Sequence, residues 1–284
     1  MVDVNYSIKG GNGDTITFDN SEYVLNPGML GFGIPPTQVR IADSAADGGL
    51  WRNTKRGVRD IDLPITILGD DRADVEEKLR RLAKLTQDRL GPTVLNANYS
   101  DLTSLTMEVH YTGGAESQWG ETEGQTWCQW VMSFQAPDPF WESTTVESFS
   151  VTSGNTGRGL LPQLTKLRVT SSQAIGTVEI DNTGDVAAYP VWRIRGPVTN
   201  LVISNGTQSF GLAVPVLLGE TITIDTENAT VVDDTGANRY ADLLPAPKLF
   251  LILPGESSIS VNGIEADTNT EITCTYSLRY EVVH

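Results

Sequence analysis

Residues 133–143 read SFQAPDPFWES. Ahead of them an alternating strand sets Cys128, Trp130, Met132, Phe134 and Ala136 on one side. It runs into Pro137 and Pro139, which have no N–H to give a sheet and so end its hydrogen bonding. Phe140 and Trp141 follow at once. The stretch therefore closes one sheet-based domain and stiffens an exit path. Pro137, Asp138, Pro139, Phe140 and Trp141 are expected to form a domain or subunit junction, with the two aromatics wedged into it.

Working outward towards the N-terminus, RDIDLPITILGD places Ile61, Leu63, Ile65 and Ile67 on one face of a strand, and LTMEVHY does the same for Leu105, Met107, Val109 and Tyr111. DDRADVEEKLRRLAKLTQ is the one convincing helix. Asp70 or Asp71 can cap it, Val75, Leu79, Leu82 and Leu85 form its stripe, and Glu76–Arg80 and Glu77–Arg81 have helical spacing. Gly91 and Pro92 predict an end near Leu90. VNYSI and TITF flank the glycine-rich turn KGGNGD as a hairpin. Residues 26–57 read as irregular arms or loops around one short strand near Val39–Ile41.

On the other side, a Ser/Thr/Gly passage over 148–159 reads as a linker. Residues 160–284 then offer KLRVTS, GTVEIDN, PVWRIRG, NLVISN, SFGLAV, ETITIDT, ATVVDD, KLFLIL and EITCTYSLRYEVV, short strands in the pattern of an antiparallel β-sandwich. The expected organisation is a domain over 1–147 with a sheet and one helix, the linker, and a second β domain over 160–284. Gly at 27 and Pro at 14 of 284 residues agree with a mainly β chain.

The net charge of -16 makes tight nucleic-acid binding unexpected, because carboxylates repel phosphate. No apolar run approaches the roughly 18 residues of a membrane span, and MVDVNYSIKG carries no secretory pattern, so a chain made in the cytoplasm without membrane insertion is expected. Only His110 and His284 could serve as imidazole catalysts or ligands, and GxxxxGK[ST], GxSxG and HExxH are missing from the sequence. Cys128 and Cys274 cannot make a four-ligand zinc site. No enzyme activity, catalytic residue, cofactor or metal is expected. Asp233, Asp234 and Gly236 read as a turn. The basic cluster Arg52, Lys55, Arg56 and Arg59 beside Trp51 interrupts the acidity and is a candidate subunit contact.

FQAPDPFW resembles the aromatic strand and Asp-Pro-aromatic step that close the first domain of the distal tail proteins of long-tailed siphophages. VRDIDLPITILGD with its helix, DNTGDVAAYPVWRIRGP, GETITIDTENATVVDDTGANRY, LFLILPGESSISV and CTYSLRY resemble later features of that family, in order, from about Asp60 to Tyr280. The resemblance implies a tail-tube-like β-sandwich or barrel followed by a galectin-like or carbohydrate-module-like sandwich. It also implies a ring, usually a hexamer, at the distal end of the virion tail. There it would be a baseplate hub joining the tail-tube protein, the tail-tip hub protein and receptor-binding or side-fibre proteins, with DNA passing through its lumen. The alternative is a carbohydrate-binding adhesion module for host attachment, with Trp192 or Phe210 as the sugar platform. Both aromatics sit in alternating strands, so core packing competes with that role.

Overall fold

The computed structural model describes residues 4–101, 103–116, 118–152 and 173–283. The fold is mainly β, with one α-helix, and divides into two compact units, Met1–Thr145 with Tyr280–His284, and Val146–Arg279.

In the first unit, β1 (Val4–Lys9) and β2 (Thr15–Thr17) form the expected hairpin, and β3 (Tyr23–Leu25) follows. The stretch read as irregular contains an antiparallel hairpin of β4 (Thr37–Asp43) and β5 (Gly49–Arg56). Its residues are exposed on both faces, so no apolar alternation advertises it in the sequence. β6 (Arg59–Leu68) buries Ile61, Leu63, Ile65 and Ile67 as expected.

Helix α1 (Arg72–Leu85) is capped by Asp71, whose side chain accepts from the Asp74 N–H, and it buries Val75, Leu82 and Leu85. Its C-cap is Thr86, and a separate 3-10 turn over Asp88–Leu90 carries the chain to Gly91. Arg80 pairs with Glu76 as its spacing predicts, whereas Arg81 reaches Asp14 on the N-terminal hairpin at 2.7 Å. β7 (Thr93–Tyr99) was not among the expected strands. It buries Thr93, Leu95 and Ala97, a face too small and polar to stand out in the sequence.

β8 (Ser104–Gly114) pairs with β7 through Ser104–Val109, then with β9 (Trp127–Ala136) through His110–Gly114. One strand thus serves two sheet segments, changing partner between Val109 and His110, and its pairing with β9 has a register shift between Tyr111 and Gly113. Gly114 lies at φ +80°, where a Cβ would stand 2.0 Å from the Val131 carbonyl oxygen. β9 pairs along its whole length with β6, and β6 pairs with β3. β10 (Trp141–Thr152) meets β8 at Glu142 and Ser143, and it continues through residues 148–152, the start of the expected linker.

The second unit holds β11 (Gln173–Asn182), β12 (Val191–Arg195), β13 (Thr199–Ser204), β14 (Ser209–Gly211), β15 (Thr221–Asp225), β16 (Thr230–Asp233), β17 (Gly255–Ile264) and β18 (Glu271–Tyr280). One sheet runs β11-β17-β13-β14, and β16, β15, β12 and β18 adjoin in that order in a second. Their inner faces share a core around Trp192, whose ring meets Phe149, Phe210 and Phe250 edge-on at 5.7–6.3 Å between centroids. KLFLIL contributes a single bridge, Ile252 to Ala188, and the central strand of that region is β17, one turn later. KLRVTS lies outside the described residues.

Gly114→Ala should destabilise the first unit by about 2 kcal/mol or more, because the side chain meets both an unfavourable φ and a backbone oxygen. A guanidinium titration following that unit's transition checks it; an unchanged midpoint would refute the steric account of Gly114.

Candidate assembly surface

The sequence groups Arg59 with an exposed basic cluster, and the structure removes it from that cluster. Arg59 opens β6 and is 1% exposed. Its Nε donates to the Pro139 carbonyl at 2.7 Å, Nη1 to Gly31 and Gly33 at 2.6 and 2.8 Å, and Nη2 to Glu281 at 2.6 Å. Four backbone oxygens take the place of water around the cation. Burial pushes its pKa down to about 10, opposed by the nearby carboxylates of Glu281 and Asp138, so it stays charged at neutral pH. Gly31 fits because it lies at φ +90°, with the Asp60 carbonyl only 2.2 Å from where a Cβ would stand. Arg59 is a core residue of the first unit and not a subunit contact.

Trp141 is corrected in the same way. It is 0% exposed and belongs to the first unit's core, its ring 5.8 Å from Phe32, which in turn meets Tyr6 at 5.1 Å. A fully buried indole in its own unit cannot be the expected wedge between domains or subunits. Pro139 is buried beside it, Asp138 and Phe140 are half-buried, and the Phe140 N–H donates to the Asp138 side chain at 3.2 Å. Pro137 alone of the five is exposed. The stretch 137–141 therefore finishes the first unit's core. The change of unit comes at Thr145/Val146.

The remaining cluster residues stand together on the β4–β5 hairpin. Val39, Ile41, Leu50 and Trp51 are 52–66% exposed, an unusual apolar load for a two-stranded sheet. Ile41 and Trp51 are cross-strand partners, and the Trp51 Nε1–H donates to Thr54 at 2.9 Å. Arg52 and Lys55 are exposed. Arg56, at the root, is half-buried, and its Nε donates to Glu281 at 2.9 Å. The hairpin carries Arg40, Arg52, Lys55 and Arg56 against Asp43 and Asp47 in a chain of net charge -16. Its root is pinned to the C-terminal segment. Among the described residues its strands pair only with each other.

His110 lies on β8 between the carboxylates of Asp88 and Glu108, and His284 is outside the described residues. Asp233 accepts from the N–H groups of Thr235 and Ala237, both at 3.0 Å, and Gly236 lies at φ +82°, which is the turn expected there. Trp192 and Phe210 are buried at 0% and 2% exposure, so neither offers a face to a sugar.

No protein-family model and no curated protein matches the sequence. Solved structures do match the fold. The crystal structure of phage SPP1 Dit (gp 19.1), described as a paradigm of the hub adsorption apparatus in phages infecting Gram-positive hosts, matches with TM-score 0.66 at 14% identity, over 96% of this chain and 98% of that one. Structures of the phage P2 baseplate in its activated conformation, with Ca and with Sr, each match with TM-score 0.56 at 10% identity, over 99% of this chain and 100% of that one.

Arg59→Met should cost about 3–5 kcal/mol, since it removes the guanidinium donors from four inward carbonyls. Trp51→Ser should stay within about 0.5 kcal/mol of the parent in the monomer. Equal denaturation midpoints for the two variants would contradict this division of the cluster. Both units share the fold of the Dit distal tail proteins.

Proposed function

We propose that this chain is a structural hub subunit of a phage tail tip, placed at the distal end of the virion tail. The observation that carries the reading is the match to SPP1 Dit along nearly the whole length of both chains, which extends through both units. A non-enzymatic role is consistent with it: the most elaborate polar site of the first unit is the Arg59 cage, and that cage is spent on backbone carbonyls.

The assembly is a ring, hexameric by analogy, built by the first unit. The β4–β5 hairpin supports this, because it exposes Val39, Ile41, Leu50 and Trp51 together with Arg52 and Lys55, which have no ion-pair partner among the described residues, and an acidic neighbouring copy is a complementary surface for it. The ring connects the tail-tube protein to the tail-tip hub protein and to receptor-binding or side-fibre proteins. Its acidic charge lets the genome pass without retaining it, with first-unit carboxylates turned towards the lumen and Arg52, Lys55 and Arg56 towards subunit contacts.

Size-exclusion chromatography with light scattering and negative-stain microscopy tests the ring directly. The parent should form closed rings, and I41S/L50S/W51S should give a monomer with an unchanged melting temperature. A parent that remains monomeric at virion-like local concentrations and does not co-assemble with tail-tube protein would refute the hub reading. Rings that persist in the triple variant would refute the hairpin's part in it while leaving the hub reading in place.

A further inference from the structure

The outward face of β12, β15 and β18 is a groove of about 680 Å³ in the second unit. The strand pairings fix what it presents. Arg193 lies between Thr223 on β15 and Thr273 on β18, and Arg195 lies between Thr221 and Glu271. Both arginines are exposed and share one face of one strand, two residues apart, which sets their Cα atoms about 6.6–6.8 Å from each other.

Three observations separate this face from an ordinary solvated sheet. First, neither arginine has an ion-pair or side-chain hydrogen-bond partner among the described residues, although carboxylates are plentiful. Arg239 in the same unit shows the contrast, as it engages Glu220, Asp233 and Asp242 together. Second, the half-buried Thr223 and Thr273 have hydroxyls with no protein partner among the described residues, so a donor and acceptor group stands on both sides of Arg193, whereas Thr221 beside Arg195 is buried. Third, no aromatic side chain among the described residues lines the groove. Stacking of a neutral sugar has no platform there, and a protein hot spot would call for buried aromatics where this face offers threonine.

We infer that this groove binds a polyhydroxylated chain carrying oxyanions, phosphate or carboxylate, with the anions on Arg193 and Arg195 and the hydroxyls on the flanking threonines. Guanidinium presents a planar fork that matches either oxyanion in two hydrogen bonds. Glu271 repels an anion at the Arg195 end, so Arg193, with threonine on both sides, is the stronger subsite. The inference is independent of the hub reading, since it concerns the second unit's surface and requires no ring.

The test is titration calorimetry on the full chain at low salt with poly(glycerol phosphate), polygalacturonate, neutral dextran, inorganic phosphate and poly-glutamate. One or both anionic polyol polymers should bind saturably and weaken as salt rises, with dextran silent; which polymer is preferred tells phosphate from carboxylate. R193Q/R195Q, on an exposed face, should weaken that binding at least 10-fold without shifting the melting temperature, and T223V/T273V should weaken it several-fold. No saturable binding by either polymer overturns the inference, as does binding that is unchanged in R193Q/R195Q. Inorganic phosphate that binds as tightly as the polymer overturns the extended groove. Poly-glutamate that binds as tightly and is indifferent to T223V/T273V overturns it in favour of an acidic protein partner.

Discussion

A guanidinium buried without water must find oxygen atoms in the positions water would have taken, and Arg59 finds four of them on the backbone of three segments far apart in sequence. The constraint runs both ways. The cation needs Gly31, Gly33, Pro139 and Glu281 held in place, and the three segments that carry them, none of them regular ladder at that point, need a donor to end on. Lysine could not substitute, because the contacts use Nε, Nη1 and Nη2 in one plane, and a single ammonium cannot spread its donors that way. Around the cage, the Val283 N–H bonds to the Phe32 carbonyl and Phe32 covers Trp141, so the C-terminal segment, the loop at 31–33 and the step at 137–141 close one core together. This is why residues 280–284 belong to the first unit although the chain before them belongs to the second.

The same cage explains how the β4–β5 hairpin can be both anchored and available. β5 ends at Arg56, three residues before Arg59, and Arg56 bonds to the side chain of Glu281 while Arg59 takes its carbonyl. The hairpin's root is therefore fixed beside the Arg59 cage. Beyond the root it has two strands and no third, a length of sheet that is marginal by itself in water. An element with a rigid base, a weak tip and four exposed apolar side chains gains most from a partner surface, since burying each of these residues would contribute on the order of 1.5–3 kcal/mol.

What could be read in the sequence was what local periodicity controls. β6, β8 and β9 alternate large apolar residues with polar ones, and α1 has a cap, a stripe and a stop, so each stands out without knowledge of its neighbours. β7 escapes because its inward face is Thr93, Leu95 and Ala97, and β5 because neither of its faces is inward. The two prolines at 137 and 139 mark the end of β9 at Ala136, although Trp141 at once opens β10 beside β8. The destination of Trp141 was not legible, because Phe32 and Tyr6, which receive it, lie more than a hundred residues earlier. Arg59 failed in the same way. Beside Arg52, Lys55 and Arg56 it reads as one more surface cation, and only the long-range carbonyls make it a core residue.

The second unit shows how packing and surface chemistry become one decision. Along β12, Trp192 and Ile194 are fully buried while Arg193 and Arg195 are exposed, and the alternation leaves no intermediate arrangement. A slip of one residue would put both arginines into a core of Phe149, Phe210 and Phe250 and both apolar residues into water, so the core fixes the register with a large penalty for any other. The outward placement of the two arginines is thereby set by the burial of Ile194 between them and of Trp192 just before them. Trp192 cannot serve as a sugar platform for the same reason that it can hold the arginine row in place: its ring is committed to the core that positions them.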